Sequence, residues 1–192
     1  AGMTFCVEMI KQKYDYDVIQ QIDERRRIVR TINSYNFLKS KAEYDFYSAE
    51  YVKASEVEKD LRSIVARKGK QHLWSDKMYH NAARILAYFN NDDTYQVDWK
   101  ILLAIFAHES QMNPWAVSGT NFDGTRDYGI GQHNSCCIDI RYRNAVMVNQ
   151  RLKIIDGRLV NADRLNLFAG MIATAVHMKE NRDVILRHNA RN

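Results

Sequence analysis

From Thr4 to Lys68 the chain has neither proline nor glycine, and its 192 residues hold one proline and eight glycines in all. In a helix interior glycine costs about 1 kcal/mol and proline about 3, so a chain that avoids both can stay helical over long stretches. Its apolar residues recur at helical spacing. Val18, Ile22, Val29 and Ile32 make one stripe, and Tyr47, Tyr51, Val57, Leu61, Ile64 and Val65 another. Two or three long helices are expected before residue 70, with a break near Ser34-Tyr35-Asn36. The heptad is too irregular for a coiled coil. A mainly α fold follows.

Arg67-Lys68-Gly69-Lys70 is the expected boundary, because Gly69 suits a helix C-cap. It separates a helical N-terminal arm, residues 1–70, from a second region, residues 71–192. Beyond it, Ser75 reads as the N-cap of a helix from about Asp76 to Phe89, with Met78, Ala82, Ile85 and Phe89 on one face. Asn90-Asn91-Asp92-Asp93 is a polar turn. Asp98 then opens a second helix, Trp99 to about Ser110.

That second helix carries the most informative carboxylate. Ile105 and Phe106 precede Glu109 by four and three residues, Met112 follows by three, and Ile101 and Leu102 lie one turn further back. Residues at those offsets share a helix face, so Glu109 sits inside the apolar stripe. Burial disfavours its charged form, and so does the negative end of the helix dipole. Both effects raise the pKa of a carboxylic acid, as a general acid at neutral pH requires. A surface glutamate at a frayed helix end is the plainer alternative.

The residues after it favour the chemistry. Glu109-Ser110, Asn113-Pro114, Ala116 and Ser118, then Gly129, Gly131, Gln132 and Asn134, stand in a specific order. The segment resembles the catalytic core of lytic transglycosylases of lysozyme-like fold. There an E-S dipeptide ends a helix, N-P-x-A-x-S follows, and G-hydrophobic-x-Q closes the site. Asn121-x-x-Gly124-Thr125-x-Asp127-Tyr128-Gly129 is most similar to the small virulence- and conjugation-associated or phage-borne branch. The resemblance covers residues 71–192. It implies a lysozyme-like catalytic domain with a small β-hairpin or loop region, and no cofactor.

By that resemblance Glu109 is the catalytic residue, acid and then base. Ser110, Tyr128, Gly129, Gly131 and Gln132 are candidate substrate contacts. Glycine also permits close approach of backbone to sugar. Tyr128 and Trp115 are suited to stacking on sugar rings, although core packing is the more ordinary fate of an aromatic. Toward the C-terminus, Leu165-Asn166-Leu167-Phe168-Ala169-Gly170-Met171 resembles the segment that begins a helix under the active site, and Leu167, Met171, Ala175 and Met178 have helical spacing. The family's A-x-Y-N has its nearest match in Leu186-Arg187-His188-Asn189-Ala190, which makes His188 and Asn189 further candidates. Histidine in place of tyrosine is a departure. So are His133, where an aliphatic residue is common, and Cys136-Cys137.

Asp123 and Asp127 are the nearby carboxylates that could orient a water and make the enzyme a hydrolase instead. Asp123-Gly124 also reads as a hairpin tip, and Asp127 as a structural position. A third reading is a structural or wall-binding component with a degenerate site.

Charge and composition narrow the partners. The net charge of +5 favours anionic polymers in general. Residues 1–70 carry 14 basic and 11 acidic groups and residues 71–192 carry 14 and 12, an even spread that argues against a dedicated nucleic-acid patch. No apolar run approaches the roughly 18 to 20 residues of a membrane span, and no secretory signal is visible. Three cysteines, two of them adjacent, offer no C-x-x-C, and six histidines offer no HExxH, so no metal site is expected. By the resemblance the expected ligand is a peptidoglycan glycan strand, reached in the periplasm or cell wall by way of a delivery machine or of a signal lying outside this sequence. Residues 1–70 then read as a docking arm for a virion, secretion or conjugation machine, or as a helical domain packed on the catalytic one.

Overall fold

The computed structural model describes residues 50–155 and 163–189, except for the side chains at 185, 186, 188 and 189. Helix α1 (Ala54–Arg67) starts where the Glu56 carboxylate accepts the Lys53 backbone N–H at 3.1 Å. It ends at Gly69, whose φ of +67° suits a residue without Cβ; Gly69 N–H bonds to Ala66 O and Lys70 N–H to Val65 O, a Schellman closure. Val57, Leu61, Ile64 and Val65 are fully buried along one stripe. They belong to the same core as the helices beyond residue 70. The rest of the expected arm, residues 1–49, lies outside the described residues.

Helix α2 (Asp76–Asn91) is capped as its sequence suggests, with Ser75 Oγ accepting the Met78 N–H at 3.3 Å. Ala82, Ile85 and Phe89 have no exposed surface. At its end, Asp92 Oδ1 accepts the Thr94 N–H at 2.9 Å and makes the polar turn. Asp98 then caps helix α3 (Trp99–Glu109) through the Lys100 N–H at 2.9 Å.

Helix α3 is deeply enclosed among the described residues. Every residue from Trp99 to Ala107 is buried, so it has no solvent stripe. A helix apolar all round must be enclosed by others. Its charged exception, Lys100, lies 3.9 Å from Asp98 with both side chains buried. α2 packs on α3 as well as on α1 and on the two later helices.

After α3 the chain reverses on two residues of positive φ, Gln111 (+52°) and Met112 (+61°). Such a conformation is uncommon outside glycine and persists where packing enforces it. Here Met112 is fully buried and its carbonyl accepts the Trp74 indole N–H at 2.9 Å. Met112 therefore reaches the core from beyond the helix end, not from the α3 face expected of it.

A loop follows, then strands β1 (Asp127–Tyr128) and β2 (His133–Asn134), paired antiparallel with Asp127 opposite Asn134 and Tyr128 opposite His133. Asp123-Gly124 is a turn, with Gly124 at φ +80°, but it precedes the hairpin. The hairpin tip is 129–132, which corrects the expectation. Helix α4 (Ile138–Leu152) buries Ile138, Tyr142, Ala145, Asn149 and Leu152 on one face. Helix α5 (Leu167–Asn189) packs on α4 and α2, with Leu167, Met171, Ala175 and Met178 buried as their spacing suggests. Among the described residues the fold is five α-helices and one small antiparallel sheet.

Candidate active site

Glu109 is the last residue of α3 and is half-buried. The nine buried residues before it fix where its backbone lies. Its side chain lines a cleft of about 380 Å³ together with Ile105 from the previous turn, the hairpin residues Asp127, Gly131, Gln132, His133 and Asn134, and Arg141, Thr174, His177 and Met178 from α4 and α5. An apolar helix thus delivers one carboxylate into a cleft whose other walls are largely polar.

The hairpin tip is shaped by two residues of positive φ, Gly129 (+74°) and Gln132 (+46°). Gly129 N–H bonds to Ala116 O at 2.8 Å, and the Gln132 Nε2 amide donates to Ala116 O at 3.2 Å and to Gly129 O at 2.9 Å. Gln132 therefore faces the cleft while its own amide locks the loop. Gly131 is a close approach: a Cβ there would overlap Thr174 Oγ1 and come within 2.9 Å of His133 Nε2. Asp127 is held at both oxygens, by Asn134 Nδ2 at 3.0 Å and Asn121 Nδ2 at 3.2 Å.

His133 forms another part of the cleft wall. It is 2% exposed, and its burial pushes the imidazole down to about 4, so the ring is neutral near pH 7. Its partners select the tautomer. Arg141 Nη1, which can only donate, lies 3.2 Å from Nδ1, so Nδ1 carries the lone pair. Nε2 then holds the proton and donates to Gly170 O at 3.0 Å, with Thr174 Oγ1 also 3.0 Å away. Thr174 Oγ1 in turn donates to Gly170 O at 2.9 Å. A buried histidine so bonded links the hairpin, α4 and α5.

Not all candidates meet in the cleft. Gly131 and Gln132 line it with Glu109; Ser110 does not. Ser110 is buried at the C-cap, its Oγ donating to Phe106 O at 3.0 Å. Gly129 belongs to the tip but does not line the cleft, a Cβ there meeting Arg164 O and the Tyr142 hydroxyl instead, and Tyr128 is half-buried against the core, with the Arg164 guanidinium 5.5 Å from its ring centre. His188 and Asn189 fall in the last turn of α5, and their side chains lie outside the described residues. Asp123 is exposed and accepts from Thr125 Oγ1 at 2.6 Å, which holds its carboxyl below the usual range; it does not line the cleft. Trp115 is 52% exposed, so it is not core; it lines a separate groove with Met78, Leu165 and Phe168. Cys136 and Cys137 are both free thiols, their Sγ atoms 2.7 Å apart.

Arg141, Thr174 and His177 were not singled out as site residues from the sequence. The Ile138, Tyr142, Ala145, Asn149 spacing that marks α4 was the available signal. It would have put Arg141 one residue before a buried tyrosine. For Thr174 and His177 the signal is the turn of α5 around the expected Ala175 and Met178.

The segment 87–142 matches the family model described as the Transglycosylase SLT domain. No curated protein and no solved structure matches the chain. The matched segment runs from the end of α2 through Glu109 and the hairpin to the first turn of α4, and so includes Arg141. The match points to a lytic transglycosylase enzyme acting on peptidoglycan of the cell wall, and the mainly helical fold with its small sheet agrees with a lysozyme-like domain.

Proposed function

We propose that Glu109 is the catalytic group and that it serves twice in a non-hydrolytic cleavage of the MurNAc-GlcNAc β-1,4 bond. Its carboxylic acid donates a proton to the bridging oxygen as the C1–O bond breaks, and the departing GlcNAc keeps that proton on its 4-hydroxyl. The N-acetyl group of the muramic sugar covers the electron-poor C1 meanwhile, so no second carboxylate is required. The Glu109 carboxylate then takes the proton of the muramic C6 hydroxyl while that oxygen bonds to C1. The product is 1,6-anhydro-MurNAc, no water is consumed, and Glu109 ends protonated as it began.

The observation that carries this reading is the convergence of Glu109 and the Gly131-Gln132 loop on one cleft. Digestion of purified sacculi, with mass spectrometry of the products, is the test. Anhydro-muropeptides are expected from the native chain, with a rate about 10²- to 10⁴-fold lower for Glu109→Gln. Reducing-end products alone would instead make it a muramidase. Asp127 supports that second reading by lining the same cleft, but both its oxygens already accept amide protons. Equal clearing by both proteins, or none by either, would indicate a degenerate wall-binding component.

The finer resemblance of Asn121 to Gly129 supports a place in the virulence-, conjugation- or phage-associated branch. We extend the proposal accordingly: a virion or secretion apparatus delivers the enzyme to the wall, with residues 1–70 as the docking region, joined through α1 to the core of the catalytic domain, 71–192. No helix among the described residues is long and apolar enough to cross a membrane.

A further inference from the structure

The cleft contains a cation that the glycosidic chemistry does not use. Arg141 projects from the first turn of α4 into the same cleft as Glu109 and Gln132. Its hydrogen-bond partner is a neutral one, the lone pair of His133 Nδ1 at 3.2 Å from Nη1. No carboxylate among the described residues forms an ion pair with it, although Asp127 lines the same cleft. A guanidinium has five N–H donors in a planar fork. His133 takes one and neutralises none of the charge, leaving the outer donors to the cleft.

The histidine is itself a fixed support. Its Nε2 is bonded to Gly170 O and Thr174 Oγ1 at 3.0 Å each, and it is 2% exposed. Swinging Arg141 away would strand a buried acceptor, so the guanidinium is held at the cleft wall before any ligand arrives. A preset planar fork with an unmatched charge is suited to an oxyanion, above all a carboxylate taken in bidentate fashion.

We propose that Arg141 reads a carboxylate of the substrate, making the cleft selective for anionic glycan strands. This rests on the reading of the cleft as a peptidoglycan site. Two carboxylate sources exist on such strands: the lactyl group of a muramic sugar stripped of its peptide, and the acidic residues of an attached stem peptide. The chemistry at Arg141 is the same for both. His133 is the positioning residue of this arrangement and Arg141 the contact.

Equilibrium binding separates this from catalysis. In a Glu109→Gln background, which binds without turnover, titration calorimetry compares soluble strands carrying stem peptides with amidase-stripped strands bearing the lactyl carboxylate, each in native form and with every carboxyl converted to an amide. Amidation is expected to weaken binding about tenfold, the size of one charged hydrogen-bonded contact. Adding Arg141→Gln should give that weaker affinity for both native and amidated strands, and the stronger of the two native strands names the carboxylate. Equal affinity for native and amidated forms of both strand types overturns the proposal. So does a loss in Arg141→Gln that is the same on both, which would make Arg141 a loop support. The amidation arm needs no change at Arg141, so misfolding of that variant does not decide the matter. Absence of binding to any strand sinks the glycan reading itself, a result distinct from binding without carboxylate preference.

Discussion

On one side of the cleft, Glu109 ends a helix in which nine residues, Trp99 to Ala107, are all buried. On the other, His133, Arg141 and Thr174 come from a strand and two helices and are joined by single hydrogen bonds of 3.0 to 3.2 Å. The first side is held by apolar contact spread over many atoms, and loss of any one contact is shared among neighbours. The second is held by a polar chain in low dielectric, where each missing partner leaves a buried group unsatisfied. Perturbations should therefore divide the two sides: pH and small steric changes act on the polar wall and leave the α3 side in place.

The largest stability effect follows from His133. The imidazole titrates near 4 in the folded chain against an ordinary value of 6.5, so between those values the unfolded chain binds the extra proton. Stability is thus intact above about pH 6.5 and is lost as pH falls toward 4. At full extent the loss is on the order of 3 kcal/mol for a group this buried. Urea unfolding at several pH values between 4 and 7.5 measures it, and the same series on His133→Gln should lose most of that slope. An unchanged slope in the variant would place the acid sensitivity elsewhere.

A steric change comes next. Gly131→Ala drives a methyl into Thr174 Oγ1 and toward His133 Nε2. Overpacking of this kind costs about 1 to 3 kcal/mol, and here it falls on the wall facing Glu109. Thermal melting should drop and sacculus digestion should fall with it. Thr174→Ala in the same chain removes the nearest obstacle and should return part of both, a coupling a double-mutant cycle would register. Additive losses would mean that the three elements are not in register at this point.

The same contrast explains what could be read in advance. The α3 side was legible because its information is local: an Asp98 cap, unbroken apolar residues, and a carboxylate at a helix end, all within 98–109. The α2 cap at Ser75 and the Gly69 closure were legible for the same reason. The polar wall was not, since Arg141, His133 and Thr174 are brought together by packing of α4 on α5 and no short spacing reports it. Met112 shows the limit even near the motif. Its helical offset from Glu109 suggested the right burial for the wrong reason, because positive φ at Gln111 and at Met112 itself turns the chain and carries the side chain into the core by another path. Asp123-Gly124 had the chemistry of a hairpin turn and makes a turn, yet pairing at Asp127 and Asn134 moved the hairpin tip to 129–132.

The smallest effect concerns Ser110, which the motif presents as a substrate contact and the structure places at the junction of the two sides. Its Oγ and its backbone N–H both reach Phe106 O, at 3.0 and 3.2 Å, and it is absent from the cleft lining. The hydroxyl therefore closes the last turn of α3 and steadies the residue before it. Ser110→Ala is expected to cost about 1 kcal/mol of stability, the net worth of one hydrogen bond, with a few degrees lost in melting. KM for glycan strands should stay as it was, and kcat should fall by less than about tenfold, since only the aim of Glu109 is loosened. A raised KM at unchanged stability would put the hydroxyl on the sugar instead. It would also mean that the α3 side, like the wall facing it, binds substrate through a polar group that packing alone does not reveal.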